Sequence, residues 1–119
     1  MKQLERRILR EDSKPNDVRD AAFRRVIRSI PKGKVSTYGA VAAAAGYPLH
    51  HRAVARLLRM SPAGSLPWQR ILGAGGEIKV PFEGAAEQRL LLTMEGVTFH
   101  GRRVDMKKHE HQFKTWELE

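Results

Sequence analysis

The sequence predicts a single α+β domain that is mostly helical, and three observations lead to this fold class. The chain has 119 residues, enough for one modest core but not for two. Apolar residues make up 41% of it, as is usual for a folded protein. Apolar side chains recur at helical spacing in several segments, whereas strand-like patterns are confined to short stretches. We therefore expect helices to supply most of the core.

The chain divides into three parts by composition. Residues 1–15 form a charged N-terminal extension, which we expect to be a loosely attached helix. Residues 16–101 contain the clear periodicity and form the folded domain. Residues 102–119 form a C-terminal tail that is too polar to predict any element.

The first helix of the domain is predicted to begin after Asn16. Asparagine is a favourable N-cap, and the aspartates at 17 and 20 suit the first turn of a helix. The apolar face that follows consists of Phe23, Val26, Ile27 and Ile30. Residues 31–33, Pro-Lys-Gly, end this helix.

Two short helices follow, joined by a turn that contains Gly46 and Pro48. Ser36 or Thr37 caps the first of them. Its inward face is predicted to be Tyr38, Val41, Ala42 and Ala45. The second runs from about residue 50 to residue 59 and has two distinct faces. One face is apolar (Ala53, Val54, Leu57, Leu58) and the other carries Arg52, Arg56 and Arg59. Such a pair is the outline of a helix-turn-helix.

The remaining elements complete a winged helix-turn-helix domain. A Pro/Gly/Ser-rich loop at 61–67 leads to a predicted hairpin, with arms at 71–72 and 78–80 around the glycine-rich turn 73–76. A fourth helix over 85–95 is expected to bury Leu90, Leu91 and Met94 and to end at Gly96. Val97 and Phe99 suggest a short strand.

The positive charge is concentrated in one block of the sequence. The net charge is +9, yet no Asp or Glu occurs between Ala21 and Gly76. The nine cations of this block are Arg24, Arg25, Arg28, Lys32, Lys34, Arg52, Arg56, Arg59 and Arg70. Lysine and arginine replace counterions on phosphates, which nearby carboxylates would oppose. The block therefore predicts a polyanion-binding face; the alternative is a basic surface kept for solubility.

Several classes of protein are disfavoured by composition. There is no cysteine, so no disulfide framework is possible. The basic N-terminus lacks the apolar stretch of a signal peptide, and no apolar run approaches the roughly 18 residues of a membrane span. We expect a cytoplasmic protein that does not associate with membranes.

Five short motifs occur in a specific order along residues 20–98. They are Val35-Ser36-Thr37-Tyr38-Gly39, His51-Arg52-Ala53-Val54, Leu66-Pro67-Trp68-Gln69-Arg70, Gly75-Gly76-Glu77-Ile78 and Glu95-Gly96-Val97. In this order and spacing they resemble the C-terminal, DNA-binding domain of the alkylguanine-DNA alkyltransferases. The resemblance implies the same winged helix-turn-helix fold.

The motif around Trp68 departs from the alkyltransferases in a way that decides the chemistry. They carry Pro-Cys-His-Arg where this chain has Pro67-Trp68-Gln69-Arg70. Alkyl transfer needs a thiolate nucleophile activated by a neighbouring histidine. The indole nitrogen of tryptophan is only a donor, and glutamine is not a base. Since the chain has no cysteine, we expect no alkyl transfer, no enzyme activity and no cofactor.

Tryptophan in an otherwise retained frame resembles the alkyltransferase-like proteins, which bind O6-alkylguanine without repairing it. The stretch 87–89, Glu-Gln-Arg, also resembles theirs. The resemblance implies double-stranded DNA with alkylated guanine as the partner, nucleotide flipping into a pocket, and delivery to nucleotide excision repair proteins. One residue departs from the family: Pro81 stands where members can carry a lesion-contacting arginine, with Lys79 close by.

The candidate lesion pocket is built around Trp68. A large aromatic residue that follows a proline in a loop is exposed unless it lines a cavity, so we expect it to stack against the base or its alkyl group. Ordinary core packing is the alternative. Arg70 is expected to hold the pocket loop, and Ser61 to belong to loop structure with a polar contact. The full candidate pocket set is Trp68, Tyr38, Pro67, Gln69, Arg70 and Ser61.

The candidate DNA contacts lie on the two helices of the helix-turn-helix. Flipping a base costs a few kcal/mol, so a wedge and a replacement stack are required. The resemblance places Arg52 as the finger that fills the gap and Tyr38 as the residue that crowds the target phosphate. A simple phosphate contact and a core aromatic are the respective alternatives. The other candidates are Thr37, Ala53, Arg56 and Arg59.

The sequence also bears on two other functions and on a metal site. A winged helix-turn-helix transcription regulator would explain the charge, but it would leave Trp68 and Tyr38 without a role and usually needs a dimer, whereas we expect a monomer. A base-excising or hydrolytic enzyme would need a carboxylate or histidine in the pocket, for which Glu77 and Glu87 are the candidates. The sequence His109-Glu110-His111 does not predict a metal site, because side chains at i and i+2 point apart on a helix.

Overall fold

A computed structural model of the protein describes residues 2–12 and 16–114. The helices in this part of the chain are α1 (Lys2–Asp12), α2 (Asp17–Arg28), α3 (Tyr38–Ala44), α4 (His51–Met60), α5 (Glu83–Met94) and α6 (Met106–His109). The strands are β1 (Ser36–Thr37), β2 (Ile71–Leu72), β3 (Phe99–His100) and β4 (Arg103–Val104). Short 3-10 turns occur at Trp68–Arg70 and Ala74–Gly76. The chain is thus mostly helical with two small sheets, as predicted.

The local signals for α2 and α3 are confirmed. The side chain of Asn16 caps α2 by accepting a hydrogen bond from the backbone N–H of Arg19 at 2.9 Å. Thr37, and not Ser36, caps α3, because its Oγ1 accepts from the backbone N–H of Ala40 at 3.0 Å. Each bond satisfies one of the amide groups that a helix leaves unpaired at its start.

Helices α2, α3 and α4 pack around the larger of two apolar clusters. Phe23 and Ile27 of α2, Val41 of α3 and Val54 of α4 are fully buried there. Burying a side chain of this size contributes roughly 1.5–3 kcal/mol, so this cluster is the main support of the helix-turn-helix. The two faces predicted for α4 are confirmed, since its apolar residues point into the cluster and Arg52 and Arg59 are exposed.

The segment predicted as a hairpin forms only its turn. Gly73 donates its N–H to the carbonyl of Glu77 at 2.7 Å, but residues 78–80 are not a strand. β2 instead pairs in parallel with β1, with Ser36 opposite Ile71. The glycine-rich turn is a local signal and indicated a hairpin, whereas a parallel partner 35 residues away leaves no local sequence signal. This pairing joins the segment that carries Tyr38 to the segment that carries Trp68.

The buried face predicted for α5 was wrong. Leu90 is 59% exposed and Met94 is 71% exposed, whereas Gln88 and Leu92 are buried. Three consecutive leucines at 90–92 do not indicate which side of the helix faces inward. Gln88 decides it, because its side-chain amide donates to two backbone carbonyls, those of Gln69 at 3.0 Å and Ile71 at 2.9 Å.

The smaller apolar cluster includes a segment beyond residue 101 for which the sequence predicted no element. β3 and β4 pair antiparallel, and Val104 is buried with Leu92 and Val97. The imidazole of His109 is also buried. It accepts the N–H of Thr98 at Nε2 and its Nδ1 bonds the carbonyl of Gly33 at 3.2 Å, which ties the segment to the domain.

None of the described helices is long and apolar enough to cross a bilayer.

Candidate nucleic-acid interface

A cavity of about 340 Å³ opens beside α4, at the meeting point of the helix-turn-helix and the loop before α5. Its lining residues are Tyr38, Ala55, Leu58, Arg59, Trp68, Lys79, Val80 and Pro81. The volume lies at the lower end of the range for small-molecule sites, which suits one planar group better than an extended ligand. The structure therefore brings the predicted residues Tyr38 and Trp68 into one site.

The walls of this cavity combine aromatic and apolar surfaces with positive charge. Half-buried Trp68 presents a large ring, and rings of this kind stack on planar groups. Arg59 and Lys79 supply the charge, and none of the lining residues is acidic. Lys79 also lies 3.4 Å from the carboxylate of Glu77, but exposed pairs of this type contribute little. The site suits a base that remains attached to an anionic backbone.

Tyr38 occupies the first position of α3, directly after the capping residue Thr37. Burial raises the pKa of the Tyr38 phenol, and the positive charge of Arg59 lowers it by a smaller amount. The phenol therefore stays neutral at physiological pH and keeps its O–H as a hydrogen-bond donor. A neutral donor beside a guanidinium can approach a phosphate oxygen.

Gln69 and Arg70 turn away from the cavity and bind Glu95 on the other side of the 3-10 turn. The Glu95 carboxylate accepts from Gln69 Nε2 at 2.8 Å and from Arg70 Nε at 3.0 Å. It also accepts the backbone N–H of Gly33 at 3.0 Å, while Arg70 Nη1 donates to the carbonyl of Ile30 at 2.9 Å. We name these four residues, Gln69, Arg70, Glu95 and Gly33, the Glu95 network. It joins the pocket loop, through Gln69 and Arg70, to the end of α5 and to the segment after α2.

The charge state of Glu95 follows from these contacts. Burial by itself raises the pKa of its carboxyl group. Hydrogen bonds from Arg70, Gly33 and Gln69, together with the charge of Arg70, outweigh burial and hold the pKa below its ordinary value of 4.5. The carboxylate is therefore ionised wherever the protein is expected to function.

The other predicted residues occupy distinct places around α4. Arg52 lies exposed on its outer ridge with Arg59. Ala53 is only 2% exposed and packs into the core, so only its backbone is near the surface. Ser61 lies outside the cavity and donates its hydroxyl to the carbonyl of Leu57 at 2.6 Å. Pro67 does not line the cavity but precedes the turn that presents Trp68.

Sequence reasoning missed two groups of residues at this site. Ala55 and Leu58 line the cavity from the flank of α4, yet a small and a large apolar residue beside an arginine stripe look like ordinary core positions. Glu95 was noted only within a motif, although an acidic residue next to Gly96 at a helix end was the available signal. Glu77 and Glu87, the candidates for an enzyme, do not line the cavity.

Histidine does not form a metal site in the described ranges. Within residues 2–12 and 16–114, no three His, Cys, Asp or Glu side chains come together as ligands. Both ring nitrogens of His109 are engaged in the hydrogen bonds that anchor the C-terminal segment.

Comparison with known proteins places this geometry in a family. Residues 19–97 match the DNA-binding domain of the 6-O-methylguanine DNA methyltransferases. The DNA base-flipping protein of Escherichia coli is 34% identical over 111 residues, which cover 92% of this chain and 82% of that protein. The corresponding protein of Vibrio parahaemolyticus is 45% identical over 73 residues, 60% of this chain and 73% of that protein.

A solved structure shows the same fold in a complex. The alkyltransferase-like protein of Schizosaccharomyces pombe, crystallised with damaged DNA containing O6-carboxymethylguanine, superposes with a TM-score of 0.72. The match has 25% identity and covers 83% of this chain and 99% of that one. With tryptophan in the motif where the methyltransferases carry cysteine, the chain belongs to the alkyltransferase-like proteins of the 6-O-methylguanine DNA methyltransferase family.

Proposed function

We propose that this protein is a non-enzymatic sensor that binds O6-alkylguanine in double-stranded DNA by rotating the damaged nucleotide into the cavity beside α4. The observation that carries the proposal is the position of Trp68. Its side chain lines the cavity, and in the sequence it stands at the motif position where the alkyltransferases carry cysteine. A thiol there would react with an alkyl group, whereas an indole can only pack against it.

Residues in and around the cavity fit the steps of nucleotide rotation. Arg52, on the outer ridge of α4, can enter the base stack and fill the gap that the rotated base leaves. Tyr38 can crowd the phosphate of the same nucleotide, and Arg59 can neutralise it. Lys79 and Pro81 line the part of the cavity formed by the loop before α5. Pro81 stands at the position where some relatives carry an arginine, and Lys79 supplies a positive charge close to it.

What happens after binding follows from the missing nucleophile. A lesion that is bound but not repaired has to be removed by other proteins, and we propose delivery to nucleotide excision repair. Relatives named for base flipping and a relative crystallised on damaged DNA support the recognition step. We further propose that the protein acts as a monomer in the cytoplasm.

The test uses one duplex with and without a single O6-methylguanine, with binding and product analysis on the same samples. We expect tighter binding to the damaged duplex and, by mass spectrometry, no methyl group on the protein and no released base. Equal binding to both duplexes would instead support a transcription regulator. An altered lesion would show that the protein is an enzyme.

The Trp68→Cys variant sharpens this test. We expect it to gain no efficient methyl transfer, because Gln69 cannot take the proton of the thiol and its amide already donates to Glu95. Mass spectrometry of the variant after incubation with the damaged duplex measures this. Stoichiometric methylation of Cys at position 68 would contradict the role given to Gln69.

A further inference from the structure

A second concave surface lies beside α4 and is lined by arginines. A depression of about 270 Å³ is bordered by Arg24 and Arg28 of α2, Arg56 of α4 and the loop that follows α4. A wider depression of about 640 Å³ continues it along α2 and adds Arg25. Because both depressions share Arg24 and Arg28, they form one continuous surface. We name it the arginine groove, defined by Arg24, Arg25, Arg28 and Arg56.

The arginine groove and the cavity lie on opposite flanks of α4. Ala55, Leu58 and Arg59 face the cavity, whereas Arg56 and Met60 face the groove. At about 100° per residue, the two sets of positions point roughly 125° apart around the helix axis. The exposed ridge of α4, with Arg52 at its start, runs between them.

The charges of the groove are not neutralised within the described structure. The guanidinium groups of Arg24, Arg25, Arg28 and Arg56 form no ion pair or hydrogen bond with any residue that the structure describes. Asp20 borders one end of the groove, where its carboxylate lies 3.8 Å from Arg19. Clustered guanidinium groups repel one another, and phosphate oxygens are the anions that match their planar forked geometry.

The hydroxyl groups in the groove are already engaged as donors. Ser61 donates to the carbonyl of Leu57 at 2.6 Å, and Ser65 donates to the carbonyl of Pro62 at 2.6 Å. Neither can donate to a ligand without losing that bond. Recognition of an anion in the groove therefore depends on the arginines.

A helix that enters a groove of duplex DNA has one sugar-phosphate backbone on each flank. We infer that the arginine groove binds the backbone of the strand opposite the lesion. The assignment of the strand rests on the proposed function, which places the lesion strand at the cavity. Contacts of this kind position the duplex on α4 and do not depend on whether the base at the cavity is damaged.

The first experiment measures how DNA binding depends on salt. Arg24→Gln/Arg28→Gln removes two charges from the groove, and Arg102→Gln/Lys107→Gln removes two charges from exposed residues on β3–β4 and α6 as a matched control. Each phosphate contact contributes about −0.9 to the slope of log K against log salt. The slope measured for the groove variant should therefore be shallower than that of the wild type by about 1.8. The slope of the control variant should differ from that of the wild type by well under half of this amount. Equal slopes for the two variants would mean that the groove does not bind DNA.

The second experiment identifies the strand. A short block of uncharged methylphosphonate linkages is placed in the lesion strand or in the opposite strand of the O6-methylguanine duplex. The wild-type protein should lose affinity with either block. The groove variant should lose affinity with the lesion-strand block but show no further loss with the opposite-strand block, because its contacts there are already absent. The inference would be overturned if the groove variant lost as much affinity as the wild type with both blocks. It would also be overturned if the lesion-strand block weakened the groove variant less than it weakened the wild type.

The two proposals can fail separately in these experiments. The preference of the wild-type protein for O6-methylguanine over guanine tests the proposed function and does not involve the groove. The groove variant should keep that preference, because it lowers binding to both duplexes equally. A selective loss of lesion binding in this variant would overturn the assignment of Arg24 and Arg28 to backbone contacts.

Discussion

The two sides of the 3-10 turn at residues 68–70 differ in exposure and in hydrogen bonding. On the cavity side Trp68 presents a ring to open space among apolar and cationic neighbours. On the other side Gln69 and Arg70 are bound to the largely buried carboxylate of Glu95. The difference shows that support and chemistry are separable here. In this chain the hydrogen bonds to Glu95 hold the turn in place, and the side chain that the turn presents to the cavity is tryptophan, which is not reactive.

The supporting side should be the more sensitive to mutation. Glu95→Ala would leave the Arg70 guanidinium, which is 18% exposed, without its counterion and the N–H of Gly33 without an acceptor. We expect the free energy of unfolding to fall by about 2–4 kcal/mol. Chemical denaturation followed by circular dichroism measures this. Glu87→Ala removes an exposed acid from α5, the helix that ends just before Glu95; it serves as the control and should stay within about 0.5 kcal/mol of wild type.

The same network predicts a pH dependence of stability. Because the pKa of Glu95 is below 4.5 in the folded protein, the folded state releases its proton more readily than the unfolded state. The stability that this group contributes is therefore complete above about pH 4.5 and is lost as pH falls through the lower, folded-state pKa. The difference in unfolding free energy between wild type and Glu95→Gln should be constant from pH 5 to 7 and shrink below pH 4.5. A difference that grows on acidification would contradict the pKa direction.

The cavity side should respond in lesion binding and not in stability. Arg52→Ala and Tyr38→Phe should each weaken binding to the O6-methylguanine duplex by roughly 1–3 kcal/mol, because both residues act on the rotated state. The plain duplex should lose much less. A fluorescent base analogue beside the lesion should brighten with the wild-type protein and stay dim with Arg52→Ala. Equal losses on damaged and plain DNA, with the fluorescence change retained, would rule out rotation as their role.

The sequence predicted the cavity side of this comparison better than the supporting side. Caps, apolar spacing and the arginine stripe are local signals, and they gave α2, α3 and α4 with the correct faces. The resemblance to the alkyltransferases then identified Trp68 and Tyr38, which the structure places in one cavity.

The supporting side depends on contacts between residues that are far apart in sequence. Gln69 and Glu95 are separated by 26 residues, and nothing in either local pattern indicates that they meet. The buried Gln88 reversed the expected face of α5 for the same reason, since its partners are backbone carbonyls of the pocket loop. Periodicity reports which residues share a face, but it does not report where a polar side chain finds its partner.

The smallest predicted effect on stability concerns the turn at the edge of the cavity, where one residue has a strained backbone conformation. Phe82 follows Pro81 and is 92% exposed, with φ at 50° and ψ at −124°. It occupies the second position of a turn closed by the N–H of Gly84 and the carbonyl of Pro81 at 3.2 Å. These dihedral angles match a type II′ turn, in which glycine is strongly preferred at this position.

We therefore expect Phe82→Gly to raise the free energy of unfolding by about 1 kcal/mol, because the strained backbone is relieved and an almost fully exposed ring is lost at little cost. Phe82→Ala is the matched control: it removes the same ring but keeps a Cβ in the positive-φ region, so its stability should stay close to that of wild type. Urea denaturation of the three proteins distinguishes backbone strain from a contribution of the ring. If both variants lose stability equally, the ring packs against the protein in solution, and the strain at this turn is not what limits stability. If only the glycine variant gains, the loop before α5 holds a conformation that its own sequence disfavours, unlike the Glu95 network, where every contact favours the folded state.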